Sequence, residues 1–275
     1  MPLLLRRETE GSTKQRFCID VNGAVACGYH WFMRFKSKQD RFDPATSILQ
    51  ECEETILGYE RMPPRRLLDQ SGWRPDEPGD YCGQCGHSRV NHGGKCGWNS
   101  ATAVPCSHVV RLGGYQSPLS AWVREFKFGQ WVSMGEQLGQ LLGVASSQLI
   151  VRSECVMNCV VPVPMPFMRR YSRGIDHAEV LAKAVAKQTG LPIRRLVRQR
   201  SGPSQVSGRS GGRRRRPNPF QPSLRGKLTK GENILLVDDV LTTGSTCRAV
   251  CQILRSMGCG RIVFAVVAVS GRPVK

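Results

Sequence analysis

Asn233 to Val250, NILLVDDVLTTGSTCRAV, decides how the rest of the chain is read. An apolar run ends in two adjacent acids, Asp238 and Asp239, followed at once by hydroxyls and a glycine. Like charges in contact repel, and the tip of a buried strand is a poor place to shelter them. The pair is therefore expected to serve something outside the chain.

Working outward, the text alternates strand and helix. CVVPVP from Cys159 reads as a buried strand, and DHAEVLAKAVAKQTG as a helix turning Val180, Leu181, Ala184 and Val185 inward and closed by Gly190. PIRRLV is a short strand, STCRAVCQILRSMG a helix ending at Gly258, and RIVFAVVAV a further strand. This alternation predicts an α/β fold with a mainly parallel sheet flanked by helices. Upstream, Leu119, Trp122, Val123 and Phe126 share one helical face, and Met134, Leu138, Leu141 and Leu142 another. Residues 1–80 show no clean periodicity and are left without an assigned fold. Residues 81–110 are rich in Cys, His and Gly, and 111–275 carry the α/β pattern.

In open parallel sheets ligands sit beyond the carboxyl ends of strands, and NILLV delivers the acids to such an end. Thr242, Thr243, Ser245 and Thr246 supply hydroxyls, and Gly244 lets backbone N–H groups approach an anion closely. The helix that starts there favours a phosphate at its N-terminus. Carboxylates accept hydrogen bonds from sugar hydroxyls or arrange a cation. Together these parts describe a holder for a ribose 5-phosphate. The plainer alternative is a strand-to-helix turn in which an Asp caps the helix and the threonines satisfy backbone groups.

The 275 residues hold 40 Lys or Arg against 21 Asp or Glu, a formal net charge of +19. From residue 151 onward the count is 23 basic to 6 acidic, so nearly all the excess is C-terminal. Arg194 to Lys230 contains 12 basic residues and no acid, including Arg213 to Arg216. Such a stretch cannot pack a core and reads as a mobile loop, about 198–220, serving as a solvated coil, an anion-binding lid or a nucleic-acid arm. No apolar run is long enough for a membrane span, and MPLLLRRE does not have the layout of a signal peptide. The expected compartment is the cytoplasm.

ILLVDDVLTTGST resembles the phosphoribosyl pyrophosphate (PRPP) motif of type I phosphoribosyltransferases. VPVPMPFMRRYSRGIDHAEVLA from Val161, GPSQ from Gly202, Asn218, Phe220 and RLGGYQSPLSAWVREFKF from Arg111 extend the resemblance to the ComF/GntX family, competence protein F and its relatives. The resemblance implies a type I phosphoribosyltransferase fold behind a small N-terminal zinc-ribbon-like module. It implies that Asp238 and Asp239 meet the ribose hydroxyls, directly or through Mg2+, and that Thr242, Thr243, Gly244, Ser245 and Thr246 cradle the 5′-phosphate. Arg169 and Arg170 fall in the loop, from Pro164 to Arg170, where pyrophosphate is held, Arg173 is a further substrate-binding candidate, and the basic stretch lies where a mobile hood closes. The sequence departs from the family at Arg173 to His177, RGIDH in place of RGFNQ or RGYNQ, though Asp176 can still cap the helix.

Cys82 and Cys85 have the spacing with which two thiolates grip one tetrahedral Zn2+, and Cys96 follows. A second pair would need a cysteine at 99, which is Asn99. Cys106 is the first choice for fourth ligand, with His87, His92 and His108 as alternatives. Cys155, Cys159, Cys247, Cys251 and Cys259 lie in apolar segments and are expected to pack as small hydrophobes. Three functions remain open: a transferase moving phosphoribose from PRPP to an unidentified acceptor, a single-stranded DNA-binding factor in DNA uptake, and a PRPP sensor without turnover.

Overall fold

Strands with no polar residue on either face belong in the middle of a covered parallel sheet, and the two most apolar runs are found there. The computed structural model describes residues 62–92, 105–165, 174–200 and 218–271. Pro63–Lys275 forms one unit. Its main sheet has four parallel strands: β1 (His108–Gly114), β2 (Cys159–Pro162), β5 (Ile234–Leu241) and β6 (Ile262–Val269), in the order β1-β6-β5-β2. All eight residues of β6 are buried. Between β2 and β5 in sequence, β3 (Val197–Gln199) and β4 (Phe220–Pro222) form a separate antiparallel pair.

The helices are α1 (Pro64–Ser71), α2 (Leu119–Phe128), α3 (Val132–Arg152), α4 (His177–Thr189) and α5 (Ser245–Ser256). Strand alternation sends Leu235 and Val237 of β5 into one core with Phe126 of α2, Leu138 and Leu142 of α3, and Leu181 and Val185 of α4. Ile234 and Leu236 enter a second core with Val250, Cys251 and Leu254 of α5 and with Leu196, Val197 and Phe220. The result is a three-layer α/β/α sandwich. The faces predicted for α2 hold, since Leu119, Trp122, Val123 and Phe126 are all buried.

A stripe of glycines governs the packing of α3. A Cβ on Gly139 would lie 2.6 Å from the Cβ of Ala184 and 3.1 Å from the carbonyl oxygen of Leu181, and one on Gly143 would lie 2.6 Å from the Cβ of Gln188. Helices α3 and α4 thus meet almost backbone to backbone. The N-terminus of α4 is capped as expected, the Asp176 side chain accepting from the Glu179 N–H at 3.2 Å.

Several boundaries differ from the sequence reading. Strand β5 runs through both acids and ends at Leu241, because Asp238, Val240 and Leu241 still find register partners in Val266, Ala268 and Val269. Helix α1 lies within the span 1–80, and β1 crosses the expected break at 110. The ends of the basic loop are pinned as β3 and β4, and its centre, 201–217, lies outside the described residues.

Candidate functional site

The acids sit on consecutive residues of a strand, so their side chains leave on opposite faces of the pleat. Asp238 turns toward the strand-to-helix loop, where with Val240, Leu241, Thr242, Gly244 to Cys247 and Phe264 it lines a small cleft of about 30 Å³. That is room for a water or two, so a sugar phosphate would rest on this loop rather than inside it. Thr242, Thr243, Ser245 and Thr246 are exposed, and Gly244 holds φ at +68°, the left-handed conformation that swings the chain from β5 into α5. The hydroxyl groups of Thr243 and Ser245 lie 3.1 Å apart, and Arg248 of α5 donates to the Thr243 carbonyl at 3.1 Å.

Asp239 turns the other way and meets Lys127 of α2, with Nζ 2.9 Å from Oδ1 and both side chains largely buried. The Asp239 N–H donates to Asp238 Oδ1 at 2.8 Å. Burial, then the neighbouring Asp239 charge, push the Asp238 carboxyl up to about 8, and Asp176 at the cap of α4 adds to the effect. One acid of the pair is thus paired with an ammonium, and the other is biased toward its protonated form.

Lys127 is the site residue that reading the sequence missed. The signal was there: it falls four residues after Val123 and one after Phe126, on the margin of the buried face of α2, where a lysine demands a partner. At the neighbouring end of α4, His177 is fully buried and packs edge-on against Phe126 with ring centroids 4.8 Å apart. It belongs to the core. Arg169, Arg170 and Arg173 lie outside the described residues.

The metal-ligand set is only partly as expected. Cys82, Cys85 and His92 bring their ligand atoms within 4.8 Å of one another, and Cys85 Sγ lies 3.2 Å from His92 Nε2. The turn that makes this possible is a knuckle: Cys82 N–H donates to the His87 carbonyl and Gly86 N–H to the Cys82 carbonyl, at 2.8 and 2.7 Å. Gly86 has φ +74°, and a Cβ there would also strike Val109 and Val269. Cys106 corrects the first choice of fourth ligand. It is buried in the second core with its thiol hydrogen-bonded to Cys247, drawn there by the start of β1. His108 packs its ring over Gly83, and Cys96 lies outside the described residues.

Cys155, Cys159, Cys247, Cys251 and Cys259 are all buried free thiols, as expected. A larger cavity of about 330 Å³ lies between α1 and α3, lined by Arg65, Trp73, Arg74, Gln137 and Gln140 among others. None of the candidate site residues singled out from the sequence lines it. Among the described residues no helix is long and apolar enough to cross a membrane.

Comparison with known proteins bears on the same segment. Residues 172–274 match the phosphoribosyl transferase domain family. The chain is 27% identical over 182 residues to competence protein F of Haemophilus influenzae, covering 65% of this chain and 80% of that protein. It is 27% identical over 188 residues to the DNA utilization protein YhgH of Salmonella typhimurium, covering 66% of this chain and 80% of that one. A solved purine phosphoribosyltransferase from Pyrococcus horikoshii is similar at 13% identity and a TM-score of 0.31, over 58% of this chain and 78% of that one.

Proposed function

We propose that this chain, a relative of competence protein F with a phosphoribosyl transferase domain, binds PRPP and transfers its phosphoribose to an acceptor with release of pyrophosphate. One observation carries the reading: β5 places Asp238 and Asp239 directly before the Thr242 to Thr246 loop, and α5 starts inside that loop. The loop hydroxyls and the first N–H groups of α5 would hold the 5′-phosphate. The acids would take the ribose hydroxyls.

As the ribose–pyrophosphate bond breaks, positive charge develops on the sugar and negative charge on the leaving group. The carboxylates would face the first, and Arg169 and Arg170 are proposed for the second, with Arg173 a further candidate substrate contact. Mg2+ suits this carboxylate and phosphate donor set and would neutralise the leaving pyrophosphate. The basic stretch from Arg198 to Arg216 would exclude water by closing over the site.

The test is equilibrium binding of labelled PRPP with Mg2+. Asp238→Asn and Asp239→Asn should abolish binding, and unchanged affinity in both would remove the proposal. Pyrophosphate release across a panel of bases and amines then separates a transferase from a sensor that binds without turnover.

A second reading, single-stranded DNA binding during DNA uptake, draws on the names of the relatives, competence protein F and DNA utilization protein. It also draws on the acid-free run of 12 basic residues from Arg194 to Lys230. Phosphate contacts by that run would give affinity that falls steeply with salt. Absence of binding at low salt would rule it out.

For the knuckle we propose a structural Zn2+ held by Cys82, Cys85 and His92. Two thiols and an imidazole are zinc donors, and the knuckle hydrogen bonds already aim the cysteines at one point. Cys96 is the proposed fourth ligand.

A further inference from the structure

In the corner assigned above to the sugar and its cation, one of the two acids already has a cationic partner in the protein. Lys127 Nζ lies 2.9 Å from Asp239 Oδ1, with side chains only 17% and 14% exposed. The lysine comes from α2 in the helical layer and the acid from β5, so sheet and helix together hold the pair in place. The Oδ1 of Asp238 is occupied by the Asp239 N–H at 2.8 Å.

A divalent cation arriving alone must separate Lys127 from Asp239. It then leaves an ammonium, deprived of its carboxylate, in a poorly solvated position beside a new double positive charge. A cation arriving on a diphosphate brings its own acceptors. The lysine can pass from the carboxylate to a phosphate oxygen without losing its charge partner.

We infer that Lys127 is a resident counter-ion that makes the acid pair selective for a metal–diphosphate complex over the free metal. It is a positioning and specificity residue of the proposed PRPP site, and the inference rests on that reading for its substrate. It extends the reading by fixing the form in which the metal enters.

The experiment uses the full chain and two probes, Mn2+ alone and Mn2+ with inorganic pyrophosphate, followed by calorimetry and by the electron paramagnetic resonance of the ion. Lys127→Met should bind Mn2+ alone at least about tenfold more tightly than the native chain, the loss of one charge-assisted contact's worth of competition. It should bind the Mn2+–pyrophosphate complex about tenfold more weakly. Lys127→Arg, which keeps the charge, should follow the native chain. Adding Asp239→Asn to Lys127→Met should erase the gain.

A merely structural lysine could weaken both probes but could not tighten one, and circular dichroism checks that each variant is folded. Unchanged or weaker binding of Mn2+ alone by a folded Lys127→Met overturns the inference, as does a gain that survives Asp239→Asn. If the native chain fails to bind PRPP while the two Mn2+ probes still diverge as described, the PRPP reading fails and the counter-ion role stands.

Discussion

Replacing Asp238 by Asn should make the protein more stable while disabling its site. The Asp238 carboxyl is pushed from the ordinary carboxylate range up to about 8, chiefly by burial and by the Asp239 charge. The folded chain therefore holds a proton there that the unfolded chain has released. Stability is fully present below about pH 3.9 and is lost as pH rises toward 8, where the folded carboxyl finally ionises. At pH 7 the nominal cost is about 4 kcal/mol, at ~1.4 kcal/mol per pH unit. Water reaches part of this half-buried side chain, so about 1–2 kcal/mol is the figure to expect. An amide has no proton to lose. The variant should match the native chain near pH 4 and exceed it by about 1–2 kcal/mol at pH 8, a rise in Tm of roughly 3–6 °C for a unit of this size. Urea and thermal unfolding at pH 4, 6 and 8, in phosphate-free buffer with chelator, measure this. Equal pH slopes for the two proteins, or a variant less stable at pH 8, would refute the reasoning.

Other perturbations separate packing from chemistry. Gly139→Ala should cost about 2 kcal/mol or more despite alanine's better helix propensity, because its methyl meets Ala184 and the Leu181 carbonyl; thermal unfolding shows it. Asp176→Ala should cost about 1 kcal/mol through the lost cap of α4. It should also lower the Asp238 pKa by removing one of its negative neighbours, so a titration followed by carboxyl NMR must move downward. If the knuckle holds the proposed zinc, Cys85→Ser should abolish it, assayed by metal content, and chelator should lower the Tm of the native chain but leave that of the variant unchanged.

The parallel sheet was legible because burial on both faces leaves no room for polar residues: ILLV and RIVFAVVAV declare themselves without a partner in view. The turn after the acids was legible because a glycine at that junction is what a left-handed swing from strand into helix requires. What stayed hidden depends on the third dimension. That Asp238 and Asp239 face different layers follows only once β5 is seen to continue to Leu241. Lys127 acquires meaning when α2 is laid across the strand that carries Asp239. Helix α1 eluded pattern reading because its eight residues bury only Leu68. Cys106 looked like a ligand by composition, whereas the start of β1 draws it into the core beside Cys247.

The knuckle carries a further consequence. Strand β1 is an outer strand with five consecutive buried residues, and its free side is a template on which a foreign strand can grow. The segment around the knuckle blocks that template: Val109 N–H donates to the Gly83 carbonyl and Asp76 N–H to the Leu112 carbonyl, each at 2.7 Å. A chain whose knuckle has come undone would therefore be prone to self-association along that margin before its interior had melted.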